Sequence, residues 1–240
     1  MASIEQASVR NLLLAALPGE VFSKLQQHLH RADMPLRAVL TAPNEPITSV
    51  FFPERGYASL LAMLEDGDAA EVGLIGSEGM VGLPLVFGTD RAPTEAIVQC
   101  QGTALRLDAD VFRRALNDHP ALQRLMLSYA MALNIQVTMT AACNGRHHVD
   151  QRLARWLLMA HDRTEGEQIP MTHEFLSLML GVRRAGVTVA AGMLQKAGYI
   201  QYEQGYVRML DRPGLEAAAC ECHDVVKREF SRLLGPASRR

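Results

Sequence analysis

Residues 171–200 of this 240-residue chain read MTHEFLSLMLGVRRAGVTVAAGMLQKAGYI. An apolar run over 176–180 ends at Gly181, and apolar residues resume at helical spacing over 187–194. Two helices that meet at a tight turn containing glycine are typical of the helix-turn-helix motif. Small Ser177 sits four residues before Gly181, where two crossing helices must approach closely. The stretch therefore predicts a helix-turn-helix, with an ordinary helical hairpin in a core as the alternative.

The residues that follow this stretch predict a β-hairpin. Residues 200–202 and 206–210 alternate between apolar and polar side chains, and the turn between them contains Gly205. A hairpin directly after the second helix is the wing of a winged helix-turn-helix. The hairpin therefore weakens the alternative of an ordinary core hairpin.

The start of the second helix presents polar and small residues on its outward face, since Val182, Val187 and Ala190 pack back on the first helix. A recognition helix has its base and phosphate contacts at this position. Thr172 is expected to cap the first helix and to present that helix end to a phosphate. The predicted DNA-binding residues are Thr172, His173, Arg183, Arg184, Gly186 and Thr188.

The composition is that of a globular protein, with 48% hydrophobic and 21% charged residues and a net charge of −2. From residue 149 onward the chain has 13 Lys and Arg against 11 Asp and Glu, a net charge of +2. The rest has 11 against 15, a net charge of −4. This weak asymmetry has the sign expected if only the second part of the chain meets DNA.

Motifs that the sequence lacks disfavour several classes of protein. No stretch approaches 18 uninterrupted apolar residues, and the N-terminus has no signal-peptide pattern. We therefore expect a cytoplasmic protein without a membrane partner. The sequence contains no paired acid and base motif, nucleophile elbow, Walker-type loop or H-E-x-x-H motif, so we expect no enzyme activity.

Four cysteines in 240 residues do not make a disulfide framework. Cys100 and Cys143 lie in apolar contexts and are predicted to be buried thiols. Cys220, Cys222 and His223 resemble a metal motif, but they lack a second ligand pair at zinc spacing, and residues 220 and 222 of one helix point to different faces. The sequence therefore predicts a structural C-terminal helix and no metal site, with metal or redox sensing as the alternative.

Residues 38–107 consist of short apolar runs separated by turns that contain glycine, aspartate or proline. Regularly spaced short strands with glycine turns predict a β-sandwich or jelly-roll barrel. Apolar residues at helical intervals over 1–24 predict helical structure before this sheet. The predicted strands are 50–52, 58–62, 70–75, 96–100 and 104–107.

A long helix is predicted over 120–147, where no proline follows Pro120 and no glycine precedes Gly145. Its apolar face is too wide for one partner, so we expect it to pack on its own sheet domain and on a second copy of the chain. Asn144 and Gly145 both have low helix propensity, which predicts a hinge over 144–150. In this hinge His147 is expected to be an exposed linker residue.

The chain resembles the Crp/Fnr family of bacterial transcription regulators, most strongly over its last ninety residues. The shared pattern is a helix that begins at a threonine, a Gly-Val turn, an arginine-bearing second helix and a short wing. In this sequence it consists of Thr172, Gly181-Val182, Arg184, Val187, Leu194, Gly198-Tyr199-Ile200 and Gly205. The resemblance implies an α+β chain in three parts. These are a β-roll or jelly-roll effector domain of the cyclic-nucleotide-binding type over 1–118, a dimerisation helix and hinge over 119–148, and a winged helix-turn-helix domain over 149–240.

The resemblance implies a sequence-specific regulator that binds double-stranded DNA as a homodimer on an inverted repeat and contacts RNA polymerase. Arg184 matches the family's base-reading arginine, and His173 and Arg183 are expected at phosphates. Ala185 stands where relatives often have an acidic base reader, and Val189 where several have a second arginine. The operator is therefore expected to differ from well-known ones and to depend more on DNA shape. The alternative is a regulatory module that binds a ligand or a protein without sequence-specific DNA binding.

The resemblance also implies an effector pocket in the β-roll, where Gly79 and Gly82 match a loop whose amides cradle a phosphate. Relatives that bind cyclic AMP have a glutamate for the ribose and an Arg-Ser pair for the phosphate, whereas this chain has Leu83-Pro84 and Thr94-Glu95. A carboxylate that faces a phosphate is repulsive, so we expect no cyclic AMP dependence. Two alternatives stay open: the roll binds a different, unidentified effector, or it serves only as a platform for dimerisation and partner binding. The expected pocket residues are Gly79, Gly82, Thr94, Glu95 and Thr138.

Overall fold

The computed structural model describes residues 4–65, 68–203 and 205–235, and only the backbone of residues 173 and 174. The first part of the chain contains α1 (Leu12–Ala15), α2 (Gly19–Gln26), β1 (His30–Met34), β2 (Val39–Thr41), β3 (Ser49–Met63), β4 (Ala69–Ile75) and β5 (Thr94–Asp108). The rest contains α3 (Ala109–Asp118), α4 (Pro120–Arg146), α5 (Val149–His161), β6 (Gln168–Pro170), α6 (His173–Leu180), α7 (Arg184–Lys196), β7 (Ile200–Glu203), β8 (Tyr206–Met209), α8 (Arg212–Ala218) and α9 (Cys222–Leu234).

The strands of the first part form one antiparallel sheet, in which the order is β1-β5-β3-β4 and β2 also pairs with β5. β3 and β5 pair along nearly their whole length, and the register shifts at Pro53, Arg55 and Tyr57. A Cβ at Gly102 would lie 1.9 Å from the carbonyl oxygen of Arg55, so this irregular pairing needs glycine there. The bulges bend both long strands into a roll.

The strand boundaries predicted from the sequence are partly wrong. The first two predicted strands are halves of β3, and the last two are halves of β5. The prediction splits each long strand in two because Pro53 and Gly102 are residue types typical of turns. In the structure they lie at bulges within continuous strands. The short edge strands β1 and β2 carry little apolar alternation, and the sequence pattern does not reveal them.

Helix α4 packs on the sheet domain through one face, which includes Tyr129 and Leu133. The hydroxyl of Tyr129 donates a hydrogen bond of 3.1 Å to the carbonyl oxygen of Met80. The amide of Gln136 accepts from the N–H of Leu74 at 2.8 Å and donates to its carbonyl oxygen at 3.1 Å. Helix α4 is long and apolar enough to cross a membrane, but the core helices of soluble proteins can have the same length and composition. These contacts hold one face of α4 against the sheet of the roll.

The last part of the chain folds around α5, whose Trp156 is buried and meets the ring of Phe175 edge-on. Helices α6, α7 and α8 contact α5, and three strands form an antiparallel sheet in the order β6-β8-β7. The predicted hairpin is confirmed as β7–β8, and β6 is a strand that the sequence pattern does not show. Helix α4 ends at Arg146 and α5 begins at Val149, within the predicted hinge. The three-part domain division stays a prediction.

Candidate nucleic-acid interface and effector cavity

The helix-turn-helix consists of α6, a three-residue turn and α7. The Thr172 hydroxyl caps α6, because it accepts a hydrogen bond of 3.2 Å from the backbone N–H of Phe175. Gly181 ends α6 with a φ of +59°, in the left-handed region that favours glycine. The N–H of Val182 then donates to the carbonyl oxygen of Ser177 at 3.0 Å and turns the chain into α7. The predicted motif is confirmed.

One face of α7 is buried and the opposite face is exposed. Val187 and Ala190 are buried against α5 and α6. Arg183 is the N-cap of α7, Arg184 is its first residue, and both side chains are exposed. Thr188 is exposed one turn later, and its hydroxyl donates to the carbonyl oxygen of Arg184 at 3.0 Å. The helix therefore presents two guanidinium groups and a threonine at the end where recognition helices read DNA.

Of the other predicted DNA-binding residues, Gly186 is placed differently, and His173 stays a prediction. Gly186 is only half exposed, and a Cβ there would lie 3.9 Å from the side chain of Val182. Gly186 thus faces the turn between α6 and α7, because the phase of α7 directs its neighbours Arg184 and Thr188 outward instead. His173 is the first residue of α6, but its side chain lies outside the described residues.

An apolar stripe runs along the exposed face of α7 beside the two arginines. Ala185, Val189 and Met193 are spaced four residues apart, and the last two are 64% and 53% exposed. Apolar side chains in the major groove contact the methyl group of thymine. Met193 was not predicted as part of this face, although its spacing of four residues from Val189 is a signal for it.

The wing adds an exposed cation, Arg208, that was not among the predicted DNA-binding residues. Along β8 the side chains of Val207 and Met209 are buried, and those of Tyr206 and Arg208 are exposed. The period-2 pattern of a half-buried strand places Arg208 on the outer face of the sheet. Its guanidinium group can meet a phosphate, as cations on recognition surfaces do.

The β-roll contains a cavity of about 280 Å³ between the sheet, the turn over 82–94 and Leu133 of α4. Gly82 and Thr94, two of the five predicted pocket residues, line it. Most of its wall is apolar, and Arg91 is the charged residue of the lining. The guanidinium group of Arg91 donates to the carbonyl oxygen of Asn44 at 2.9 Å. Gly82 has a φ of +104°, so its backbone conformation needs glycine.

The other three predicted pocket residues lie elsewhere. A Cβ at Gly79 would lie 2.5 Å from the Tyr129 hydroxyl, so Gly79 serves the packing of α4 on the roll. Glu95 lies between two residues of β5 that line the cavity, and strand alternation places it on the opposite face of the sheet. Thr138 is exposed on α4, where its hydroxyl donates to the carbonyl oxygen of Asn134 at 2.8 Å. The expected repulsion between Glu95 and a phosphate therefore does not arise in this cavity.

A buried carboxylate joins the two domains. Glu71 of β4 accepts hydrogen bonds from the hydroxyl of Ser59 on β3 and from the indole Nε1 of Trp156 on α5. Burial raises the pKa of Glu71 to about 7, although both hydrogen bonds and the charges of Arg155 and Arg163 act to lower it. The sheet of the roll thus shares a titratable group with the central helix of the helix-turn-helix domain.

A second contact links the cavity wall to α5. Nε of Arg163 donates to Oε1 of Glu78 at 2.8 Å, and its Nη1 donates to the carbonyl oxygen of Met159 at the same distance. Glu78 lies in the turn after β4, two residues before Met80, which lines the cavity together with Val81 and Gly82. Both members of this ion pair are largely buried, so solvent screens it little.

Four ligand-type side chains meet where α4 ends. Sγ of Cys143, Cys220 and Cys222 and a ring nitrogen of His147 all lie within 4.8 Å of one another. The sequence around Cys220 and Cys222 shows no second ligand pair, but the fold brings Cys143 and His147, at the end of α4, beside them. Cys220 lies before α9, so it does not share the geometry of one helix with Cys222. His147 is half-buried here and is not an exposed linker residue.

His223 points away from this cluster. Its Nε2 lies 3.2 Å from Oδ2 of Asp162, and its Nδ1 lies 3.3 Å from Oδ1 of Asp224. The carboxyl of Asp162 also accepts from Arg212 at 2.6 Å. His223 and Arg212 together hold the pKa of Asp162 below its usual range despite its burial. These contacts tie α9 to the end of α5 and give His223 a structural role.

Two known protein families match the sequence. The cyclic nucleotide-binding domain matches residues 34–119, and the Crp-like helix-turn-helix domain matches residues 151–218. The first covers the roll and the second covers α5 through α8. No match was found among curated protein sequences.

Solved structures of bacterial regulators share the fold of the chain. The c-di-GMP responsive global regulator CLP of Xanthomonas campestris has a TM-score of 0.66 at 18% identity, with 80% of this chain and 99% of that chain covered. FixK2 of Bradyrhizobium japonicum has a TM-score of 0.68 at 14% identity, with 80% and 98% covered. A CRP/FNR family regulator of Thermus thermophilus has a TM-score of 0.65 at 22% identity, with 79% and 98% covered.

The two matched domains, in this order and on this fold, define a class of protein. This class comprises transcription regulators in which a roll of the cyclic nucleotide-binding type is joined to a helix-turn-helix domain. Within this class the chain belongs to the Crp/Fnr family.

Proposed function

We propose that this protein is a homodimeric transcription regulator that binds an inverted-repeat operator in double-stranded DNA. The observation that carries the proposal is the phase of α7, which exposes Arg183, Arg184 and Thr188 while Val187 and Ala190 are buried. A mobility-shift titration at graded salt tests it. Affinity for DNA is expected to fall steeply with the logarithm of the salt concentration, because each arginine at a phosphate releases a counterion.

The proposed dimer forms through an exposed stripe on α4, on the side away from the roll. Its residues follow a spacing of three and four, which keeps them on one seam of a two-stranded coiled coil. The stripe consists of Arg124, Leu127, Met131, Asn134, Thr138 and Ala141. Leu127 and Met131 are 45% and 48% exposed in the single chain, and a second copy of α4 would cover them. A two-fold axis along this seam would place the two α7 helices in successive major grooves, about 34 Å apart.

Arg184 is the proposed base reader and Arg183 the proposed phosphate contact. Arg184 occupies the first turn of α7, from which side chains reach the groove floor, and guanidinium donors fit O6 and N7 of guanine. Arg183 precedes the helix at the turn, so we expect it nearer the DNA backbone than Arg184. Ala185 and Val189 beside them offer methyl groups to thymine instead of charged groups to bases.

The proposed effector of the roll is a small, mostly apolar molecule and not cyclic AMP. The cavity wall is apolar apart from three threonines and Arg91, and Leu83-Pro84 replaces the residue that would hold a ribose. Glu78 lies just before the cavity-lining residues 80–82 and pairs with Arg163, which follows α5 and donates to the carbonyl oxygen of Met159. Occupancy of the cavity therefore has a physical route to the DNA-binding domain. Contact with RNA polymerase, a cytoplasmic location and the lack of enzyme activity belong to the proposal by family resemblance.

A second candidate function is a regulatory module that binds a protein instead of DNA. The exposed apolar side chains of Val189 and Met193 favour it, because such a patch fits an apolar partner surface. The salt titration separates the two functions. A protein-binding module would show no shift of DNA at any salt concentration.

A further inference from the structure

We propose that Cys143, His147, Cys220 and Cys222 form a tetrahedral site for one Zn²⁺ ion. Sγ of Cys143 lies 3.4 Å from Sγ of Cys220, and Sγ of Cys222 lies 3.7 Å from Nδ1 of His147. In a tetrahedral Cys3His site with ordinary bond lengths, two sulfurs lie about 3.8 Å apart and a sulfur lies about 3.6 Å from the nitrogen. The cluster is therefore close to the geometry of a zinc site before any ion is added.

The chain supplies the four ligands as two pairs from distant segments. Cys143 and His147 are four residues apart at the end of α4, so they lie on one face of that helix. Cys220 precedes α9 and Cys222 is its first residue. Cys143, Cys220 and Cys222 are buried together against Met139, which shields the site from water. A bound ion would fix the start of α9 to the end of α4.

The orientation of His147 fits a ligand role. Its Nδ1 faces the sulfurs, and its Nε2 lies 3.5 Å from Oε2 of Glu221. Histidines that bind metals usually donate their other ring N–H to a carboxylate, which fixes the tautomer and strengthens the ligand. Glu221 stands between Cys220 and Cys222 in the sequence, so the same segment supplies two ligands and the carboxylate.

The charges around the cluster match the charge of a filled site. Three thiolates, a neutral imidazole and Zn²⁺ have a net charge of −1. The side chains of Arg152 and Arg155 are buried, and Nη1 of Arg155 donates at 3.3 Å to the hydroxyl of Thr140, three residues before Cys143 on α4. Arg152 donates to the carbonyl oxygen of Leu180, but Nε of each arginine has no hydrogen-bond partner among the described residues. An anionic metal centre would compensate these buried cations.

Metal content of the full chain tests the proposal. The protein is purified under reducing conditions with Zn²⁺ supplied, desalted, and analysed by elemental mass spectrometry. About one Zn²⁺ per chain is expected for the wild type and for Cys100→Ser, a buried cysteine of the roll outside the cluster. Cys143→Ser and Cys222→Ser are expected to lose it. Equal zinc in all four proteins, or none in the wild type, would overturn the proposal.

A second measurement remains informative if the cysteine variants do not fold. Co²⁺ is titrated into metal-free wild type, and visible absorption reports tetrahedral thiolate coordination. Glu221→Gln leaves every ligand in place, and competition with a chelator is expected to show zinc affinity lowered about 10–100-fold. A wild type that gives no tetrahedral thiolate spectrum, or whose Cys143 and Cys220 are isolated as a disulfide, contradicts the site.

Discussion

Nε1 of Trp156 donates a hydrogen bond of 2.5 Å to Oε1 of Glu71, across the boundary between the DNA-binding domain and the roll. Ser59 donates to the other carboxylate oxygen, and its hydroxyl also lies 3.8 Å from Sδ of Met179 on α6. The first helix of the helix-turn-helix thus rests on the sheet of the roll beside a buried titratable group. Such buried polar networks stabilise one arrangement strongly when every member is satisfied.

Glu71 predicts a pH dependence of stability. Its pKa is about 7 in the folded chain against an ordinary value of 4.5, so the folded state binds the proton more tightly than the unfolded state. The free energy of unfolding should therefore fall as the pH rises from about 4.5 to about 7, by on the order of 3 kcal/mol in total. In Glu71→Gln this part of the pH dependence should vanish. Urea denaturation at pH 5 and pH 8 measures it.

Glu45→Gln is the control, because it removes an exposed carboxylate of the same domain. It should keep the pH dependence of the wild type. A Glu71→Gln protein whose stability still changes with pH as in the wild type would show that Glu71 is not the group responsible.

The helix-turn-helix could be predicted from the sequence because its signals are local. All of them lie within thirty residues: a helix cap at Thr172, a glycine at the turn and apolar residues at helical spacing. Each determines the local conformation through residues close to it in the sequence. Glu71 and Trp156 could not be predicted as partners, since they are 85 residues apart and neither has a local signature. The cluster around Cys143 and Cys220, which are 77 residues apart, escaped for the same reason.

The β-roll was predictable in class but not in detail. Alternation marks which segments are strands, whereas a bulge and a turn use the same residue types, as at Pro53 and Gly102. The side of the sheet on which Glu95 lies depends on the register between β5 and β3, which shifts near Tyr57. Glu95 stands in the sequence where relatives have a phosphate-binding residue, but its side chain lies on the other face of the sheet from the cavity.

The dimer stripe predicts opposite effects for two neighbouring residues of α4. Met131→Glu puts a charge into the proposed seam and should give a folded monomer, because burying an unpaired carboxylate there is too costly. Leu133→Ala removes a side chain buried against the roll and should cost about 2–5 kcal/mol of stability while the dimer persists. Sedimentation and denaturation measure both. A dimeric Met131→Glu protein would place the seam elsewhere.

Cyclic AMP is predicted to leave the protein unchanged. The cavity wall has apolar side chains where a nucleotide needs polar groups, and Leu83-Pro84 cannot hold a ribose hydroxyl. A ligand at about one hundred times its Kd would stabilise the folded state by about 2.7 kcal/mol, which thermal denaturation detects readily. Calorimetry gives the affinity directly. Micromolar or tighter binding would show that Gly82, Thr94 and Arg91 suffice for the nucleotide.

Arg183→Ala is predicted to weaken DNA binding alike on all sequences. The residue caps α7 without a side-chain hydrogen bond to the helix, so its loss should leave the fold intact. A phosphate contact should reduce the slope of affinity against the logarithm of salt by about one unit per contact. Fluorescence anisotropy on operator and random DNA at several salt concentrations measures both effects. A loss confined to the operator would assign Arg183 to a base instead.

Selection from a randomised half-site library, run with wild type and Arg184→Ala, tests most directly whether α7 reads DNA sequence. If Arg184 reads a guanine, the variant should lose about 1–3 kcal/mol at the preferred site and lose its preference at one base pair in each half-site, with the other positions unchanged. Arg183→Ala, run in parallel, should keep the full preference. A base preference that is the same for Arg184→Ala and wild type would contradict base reading by Arg184.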